Sequence, residues 1–259
     1  MRRLRYTLIR WQNKNVSYAV KNVVSSLLIY CLTCYAIKEG VFDEYSSTKT
    51  CLFAILMCNI WSGTFNSITV FYSEANYIID DLNKFLSVRV YVFSNFLMQT
   101  FICLIEAMIC IAVFNGFYDY SEQGIIFNRN IEYFITFFSI LISADMLGFA
   151  IGMVVTNIAS AMSVIPIILI VQFLFSGCLF ELQKELEPIA AFTTAKWGFA
   201  ALGTITNMNS YLQYGKDDVL FEYSTNHLLE CWAFLAILSA ICFILSGIFL
   251  YIRINKPNR

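Results

Sequence analysis

Six apolar stretches, each close to twenty residues long, decide what this chain can fold into: 18–37, 50–72, 91–114, 131–155, 161–180 and 231–252. A hydrocarbon core of about 30 Å is crossed by roughly 20 helical residues at about 1.5 Å each, so each stretch reads as a span. Strands crossing a bilayer would alternate apolar and polar side chains over about ten residues, and none of the stretches does so. Hydrophobic residues make up 59% of the 259 and the mean hydropathy is +0.66, which is more apolar surface than one aqueous core encloses. The expected fold is an all-α integral membrane protein with six transmembrane helices. The first span is the least apolar, with Lys21 and Asn22 near its start.

Lysine and arginine set the orientation. The N-terminal tail carries Arg2, Arg3, Arg5, Arg10, Lys14 and Lys21, the segment after the second span Lys84 and Arg89, and the C-terminal end Arg253, Lys256 and Arg259. The other side holds Lys38, Lys49, Arg129, Lys184, Lys196 and Lys216 in longer, more acidic loops. Eleven against six, from the 17 basic residues, predicts cytoplasmic termini in a cell membrane. The net charge of −1 conceals this asymmetry, which speaks for membrane orientation and against nucleic-acid binding. A single domain follows: an amphipathic cytoplasmic segment at 1–17, a six-span bundle at 18–252 and a tail at 253–259. The first apolar run is long, contains Lys21 and lacks a small-residue cleavage pattern, so it reads as a retained span rather than a signal peptide.

Chemistry-bearing motifs are sparse. Eight of the nine cysteines fall inside the spans and Cys231 at the entrance to the last. Cys31 and Cys34 form a C-x-x-C, but on a membrane helix they read as small packing side chains. His227, the one histidine, has no ligand cluster around it and reads as an outer surface residue, so no metal site is expected. No G-x-x-x-x-G-K-[ST] occurs; the run Gly198 to Gly203 ends in Thr204 without the phosphate-binding lysine. The sequence therefore carries no P-loop, and it also lacks the metalloprotease, redox and G-x-S-x-G hydrolase patterns.

Between the second and third spans, Ala75, Ile78, Ile79, Leu82, Phe85 and Leu86 recur at three- and four-residue steps, with Glu74, Asp80, Asp81, Asn83 and Lys84 on the other face. Asp80 and Lys84 stand at i, i+4 with the acid first, the favourable order. A short amphipathic cytoplasmic helix is expected. Pattern alone fits a solvated linker as well as an element gripped by a soluble motor. In the N-terminal tail, Leu8 and Trp11 join Leu4 on one face among Arg2, Arg3, Arg5 and Arg10, the pattern of an interfacial helix. Glu106 and Asp145 lie inside spans, where a charge costs about 2.5–3.5 kcal/mol on insertion scales. They are read as a polar lining of a substrate path or subunit interface, or as hydrogen-bonded packing acids. Gly148 and Gly152 form a G-x-x-x-G that permits close helix approach, and Pro166 is expected in the first turns of the fifth span, where a missing N–H costs little.

The stretch FNSITVFYSEANYIIDDLNKFLSVRVYVFSNFL resembles a segment of ABC type-2 transporter permeases of the white/G-subfamily kind, which reads Glu-Arg, a second Glu seven residues after the first, Gly-Leu-Ser and Tyr-x-x-Ser. Glu74 fills the first position, Asp81 the second acid, Leu86 and Ser87 the Leu-Ser, and Tyr91 with Ser94 the Tyr-x-x-Ser. SAMSVIPIILIVQFLFSGCLF at 160–180 is similar to the family's fifth span, with Pro166 and Phe175-Ser176-Gly177. AKWGFAAL at 195–202 resembles its Arg-Trp-x-x-x-Ala-Leu signature, with Lys196 in the arginine's place. The matches run in family order. Ala75, Ile79 and Asp80 stand where that family often has basic residues, which puts a Glu–Arg latch in doubt.

The resemblance implies a permease subunit of an exporter for hydrophobic or amphipathic substrates. It pairs with a second copy or close paralogue and is energised by an ABC ATPase that binds ATP and Mg, with no cofactor on this chain. Glu74, Ile78, Asp80, Asp81, Leu82, Lys84 and Phe85 are then the ATPase-coupling residues, Arg5, Leu8 and Trp11 belong to a connecting helix, and Asn66, Glu106, Asp145 and Phe175 line the substrate path or the interface. Relatives often carry Gln where Glu106 stands, which favours hydrogen bonding there. Since only a short basic tail precedes the first span, a separate ATPase chain is expected. In relatives the start of the outer 180–230 element dips back into the membrane. Two other classes stay open: a non-transporting membrane sensor or immunity subunit, and an intramembrane enzyme using Glu106 and Asp145 as an acid pair.

Overall fold

The computed structural model describes residues 20–37, 39–68, 82, 87–155, 157–179, 185–212 and 218–255. The connecting helix at Arg5, Leu8 and Trp11 lies outside the described residues, as does the 74–86 segment apart from Leu82. The helices are α1 (Val20–Ala36), α2 (Tyr45–Ile68), α3 (Val88–Phe117), α4 (Arg129–Val154), α5 (Ile158–Leu174), α6 (Glu187–Ala190), α7 (Thr194–Thr206) and α8 (Thr225–Asn255), with two 3₁₀ turns, Met208–Tyr211 and Val219–Phe221. Among the described residues the only extended pairing is a single bridge between Gln123 and Asn128. A helix satisfies its own backbone, which is what a chain without water around it requires.

Four helices are long and apolar enough to cross a bilayer by themselves: α2, α3, α4 and α8, with 24, 30, 26 and 31 residues. The other two apolar helices are shorter: α5 has 17 residues, which rise about 25 Å, and α1 is of similar length. Helix ends follow capping rather than hydropathy. Asn128 accepts from the Asn130 N–H at the start of α4, and Asn157 accepts from Ser160 at the start of α5. At the far end of α5, Gly177 takes φ +79°, a left-handed turn open to glycine, and the helix stops at Leu174 rather than 180. The early start and early stop correct the expectation for Pro166. It sits in the interior of α5, where it removes a helical hydrogen bond, rather than in the first turns.

The bundle is built around α4, which packs against α2, α3, α7 and α8. Its contact with α2 is backbone on backbone. A Cβ on Gly148 would lie 2.5 Å from the Thr64 carbonyl oxygen, one on Gly63 2.6 Å from that of Leu141, and one on Gly152 2.7 Å from that of Ile68. The G-x-x-x-G of the sequence therefore marks a real close approach.

α7 is an interior helix, although it lies within the 180–230 stretch that the sequence places on the outer side. All of its residues except Trp197 are buried or nearly so. Small side chains let it insert, with Gly198 against Leu56 of α2 and Ile140 of α4. The Gln172 side chain of α5 accepts from the Ala195 N–H at 2.8 Å, Ser143 and Thr194 bond at 2.9 Å, and Tyr133 bonds Thr206 at 2.7 Å. Trp197 stacks on Phe234 of α8 with ring centroids 3.9 Å apart.

The two ends of the bundle are closed differently. At the end where α3 finishes and α4 begins, the Tyr118 hydroxyl donates to the carbonyls of Cys34 and Ile37, and Phe42 packs on Phe114 and Tyr120. There too the Oε1 of Glu132 accepts the N–H groups of Ile125, Ile126 and Phe127 at 2.8, 2.6 and 3.0 Å. At the opposite end Arg253 donates to the carbonyls of Met153 and Val155, which capping of a helix C-terminus by a cation predicts. A second apolar cluster of Tyr91, Val92, Phe149, Met153 and Leu250 sits beside it, and half-buried Leu82 packs against this cluster.

Candidate functional site

Polar residues on the first three helices fall in register. On α1 Ser26, Tyr30 and Thr33 are spaced by four and three; on α2 Asn59, Ser62 and Asn66 by three and four; on α3 Gln99, Glu106 and Cys110 by seven and four. Such spacing puts each set on one helical face. The three faces meet inside the bundle, with Glu106 at the centre.

Glu106 is 0% exposed. Its Oε1 accepts from the Ser26 hydroxyl of α1 at 3.1 Å and from the Asn66 amide of α2 at 2.9 Å. Its Oε2 accepts from the Ser62 hydroxyl at 2.9 Å and again from Asn66 at 3.0 Å. The Ser26 and Ser62 hydroxyls are themselves 2.6 Å apart. Gln99, one helical face down α3, donates to the Asn66 main-chain carbonyl at 3.0 Å. On the other side of Glu106, the Tyr30 hydroxyl donates to Asn59 at 3.1 Å, and Asn59 donates to the Ile55 carbonyl and toward the Cys110 sulfur. A single carboxyl thus ties α1, α2 and α3 together through three side-chain donors, and no basic side chain among the described residues pairs with it.

Asp145 contrasts with it. It is also 0% exposed, on α4 where α2 crosses, yet neither carboxyl oxygen has a hydrogen-bond partner among the described residues. The Ser67 hydroxyl donates instead to the Asp145 main-chain carbonyl at 2.5 Å. A buried polar group left unpaired costs about 1–3 kcal/mol, so Asp145 is a weak point where Glu106 is a brace. Both carboxyls are closed off from solvent, so neither presents an acid or base to a substrate in this conformation.

Of the residues singled out from the sequence, the structure brings Asn66 and Glu106 into direct contact. Phe175 lies apart from them, as the half-buried residue that ends α5, its N–H donating to the Val171 carbonyl. Lys196, at the position of the signature arginine, is nearly buried on α7, 3.6 Å from the exposed Glu187 carboxylate and over the Trp197 ring. His227 is half-buried rather than a surface residue. Its Nε2 lies 3.1 Å from the Leu220 carbonyl, which anchors the 3₁₀ turn before α8. Sequence reading missed Ser26, Ser62 and Gln99, although the four- and three-residue register of polar side chains on α1 and α2 carried the signal. All nine cysteines are free thiols, and among the described residues no three His, Cys, Asp or Glu side chains converge as a metal site would need.

α5 is enclosed along only a narrow stripe. Ala161, Ile165, Leu169 and Gln172 form its buried stripe, while Ile167 and Ile170 are 62% and 57% exposed, with Met162 and Leu174 beside them. That stripe is one helical face, and the opposite face is apolar and exposed among the described residues.

The family model described as ABC-2 type transporter matches residues 4–202. Among curated proteins, none matches the chain. The match runs across α1 to α5 and into α7, so the carboxyl brace and the α2–α4 contact both lie within the matched region. With its apolar helices, the match identifies a multi-pass membrane component of a transporter.

Proposed function

The chain belongs to the ABC-2 type transporter family, and on that premise we propose that it is the permease subunit of an ATP-driven exporter of the white/G-subfamily kind. It moves a hydrophobic or amphipathic substrate across the cell membrane, with both termini in the cytoplasm. Members of this family typically work with an ABC ATPase. The 259 residues hold no P-loop, so we assign ATP and Mg to that ATPase. The observation that carries the reading is the family match over residues 4–202.

Two such subunits, identical or closely related, face each other across α2 and α5. The uncovered apolar face of α5 supports this, since a helix exposing Ile167 and Ile170 suits a second apolar helix as well as lipid. ATP closure of the ATPases moves the 74–86 segment, with Glu74, Ile78, Asp80, Asp81, Leu82, Lys84 and Phe85 at the contact and Arg5, Leu8 and Trp11 alongside it. The movement opens the path between α2 and α5 outward. The packing of Leu82 against the Tyr91–Leu250 cluster supports a mechanical link from that segment into α3, α4 and α8. Asn66 and Glu106 hold α2 to α1 and α3 while it moves, Asp145 lies on the α4 side of α2, and Phe175 closes the far end of α5.

The test is to purify the chain in mild detergent from its native cells and identify what remains bound at fixed stoichiometry. Co-purification of a P-loop ATPase, two to two, whose hydrolysis this chain stimulates, supports the permease. Reversing charge at Asp80 and Asp81 together should then weaken ATPase recovery without affecting membrane insertion. A chain recovered alone and inert toward ATPases overturns the reading and favours a sensor or immunity subunit.

A further inference from the structure

A groove of about 930 Å³ opens between the start of α3 and the last turns of α8. Its walls are apolar, with Phe93 on α3 and Phe243 and Ile248 on α8, and its floor at Gly247 is bare, with nothing within 4 Å of where a Cβ would stand. Arg89 and Tyr251 stand at one end of it, both exposed, whereas Arg253 nearby donates to main-chain carbonyls of the α4 terminus.

We propose that this groove is a binding site for one anionic phospholipid, its acyl chain along Gly247 and its phosphate on Arg89. Three observations select that occupant. The first is length: from Phe243 to Tyr251 the α8 wall rises about 12 Å at 1.5 Å per residue, which matches the roughly 15 Å of one leaflet. A helix of a partner subunit would need a groove running the full hydrocarbon thickness. The second is polarity along the axis, since among the described residues the one cation lining the groove sits at its end, where α3 starts and α8 is finishing, the depth of a head group. Tyr251 beside it belongs at the same level, because an aromatic ring with a polar tip favours the interface. The third is charge: Arg offers a planar fork of donors that suits phosphate oxygens. The basic bias of this end of the chain places it against the cytoplasmic leaflet, where anionic lipids lie. The assignment rests on α3 and α8 crossing a bilayer and not on transport, so it stands or falls separately from the exporter reading.

The experiment uses the full-length protein with whatever partner chains co-purify, reconstituted into nanodiscs containing equal phosphatidylglycerol and phosphatidylcholine. Lipids retained after extraction into mild detergent are counted by native mass spectrometry. The wild type should retain one phosphatidylglycerol per chain in preference to phosphatidylcholine. Arg89→Gln should lower that preference about five-fold, equivalent to the ~1 kcal/mol that a basic residue contributes near an anionic surface, while still binding lipid. Gly247→Leu, whose Cβ meets no neighbour and whose longer side chain fills the bare floor, should displace both lipids alike. Equal retention of the two lipids by the wild type, or retention unchanged in Gly247→Leu, overturns the site. An unchanged preference in Arg89→Gln overturns the head-group assignment and with it the proposal.

Discussion

Replacing Glu106 tests what the buried carboxyl is for. Glu106→Ala strands three donors, the Ser26 and Ser62 hydroxyls and the Asn66 amide. Hydrogen bonds between helices in a bilayer are worth ~0.6 kcal/mol on average and up to ~1.7, so losing all three costs about 2–5 kcal/mol. At roughly 2–4 °C per kcal/mol for chains near this size, the melting temperature should fall on the order of 10 °C. Glu106→Gln behaves differently. Its amide oxygen keeps the Asn66 and Ser26 donors. Its NH₂ replaces Oε2, so the Ser62 hydroxyl turns to accept from it and donates to Ser26, 2.6 Å away. The loss should stay under about 1 kcal/mol, within the spread of single polar exchanges. Thermal unfolding in mild detergent can be followed with a thiol-reactive dye, because the nine cysteines are free and five of them are buried. A Glu106→Ala protein melting within about 2 °C of wild type would falsify the brace. A Glu106→Gln protein melting as low as Glu106→Ala would show that hydrogen bonding is not what holds these helices, and an additive Ser62→Ala, Glu106→Ala cycle would remove that pair from the argument.

Asp145→Ala should leave stability within about 1 kcal/mol of wild type or raise it, since it removes a buried carboxyl that has no partner; a fall as large as that of Glu106→Ala, in the same melt, counts against that account. Gly148→Leu should destabilise by at least ~1–3 kcal/mol, the cost of overpacking, because its Cβ alone reaches 2.5 Å from the Thr64 carbonyl. Gly247→Ala, whose Cβ meets nothing, should melt like wild type, and equal melting of the two glycine variants refutes the close contact. Glu132→Ala releases three N–H groups of the 125–127 turn and should speed proteolytic cleavage there several-fold. Glu132→Gln, which keeps an oxygen at the accepting position, should be cut at nearly the wild-type rate; equal cutting of both variants sinks the carboxyl-cradle reading.

The four long spans were legible because hydropathy is summed over many residues, and the close approach at Gly148 and Gly152 was written in their spacing. Ends were less legible. Hydropathy does not register that Asn157 caps α5, which starts three residues before the expected 161, or that Gly177 turns the chain after it, and so Pro166 was misplaced by about one turn. The burial of α7 was not legible, because its composition mixes Thr, Lys and Gly with apolar residues. In the folded chain those small and polar groups find partners inside, Thr194 on Ser143 and Thr206 on Tyr133, and burial becomes affordable. Within the candidate site, the acid at Glu106 was conspicuous while its serine partners were not. A serine on a membrane helix usually bonds its own backbone, as Ser94 does to the Val90 carbonyl, and only the tertiary arrangement shows which serines turn outward.

The glycine seam between α2 and α4 restricts how this protein can change shape. Where carbonyl oxygens stand within Cβ distance of the neighbouring helix, a slide by even a fraction of a turn brings side chains into backbone. The two helices therefore travel as one plank, with α7 wedged against both through Gly198. Any opening of the bundle has to be taken up at a seam that side chains fill, around α5 with its thin buried stripe. Motion is thus apportioned by residue size, with glycine marking the joints that are welded.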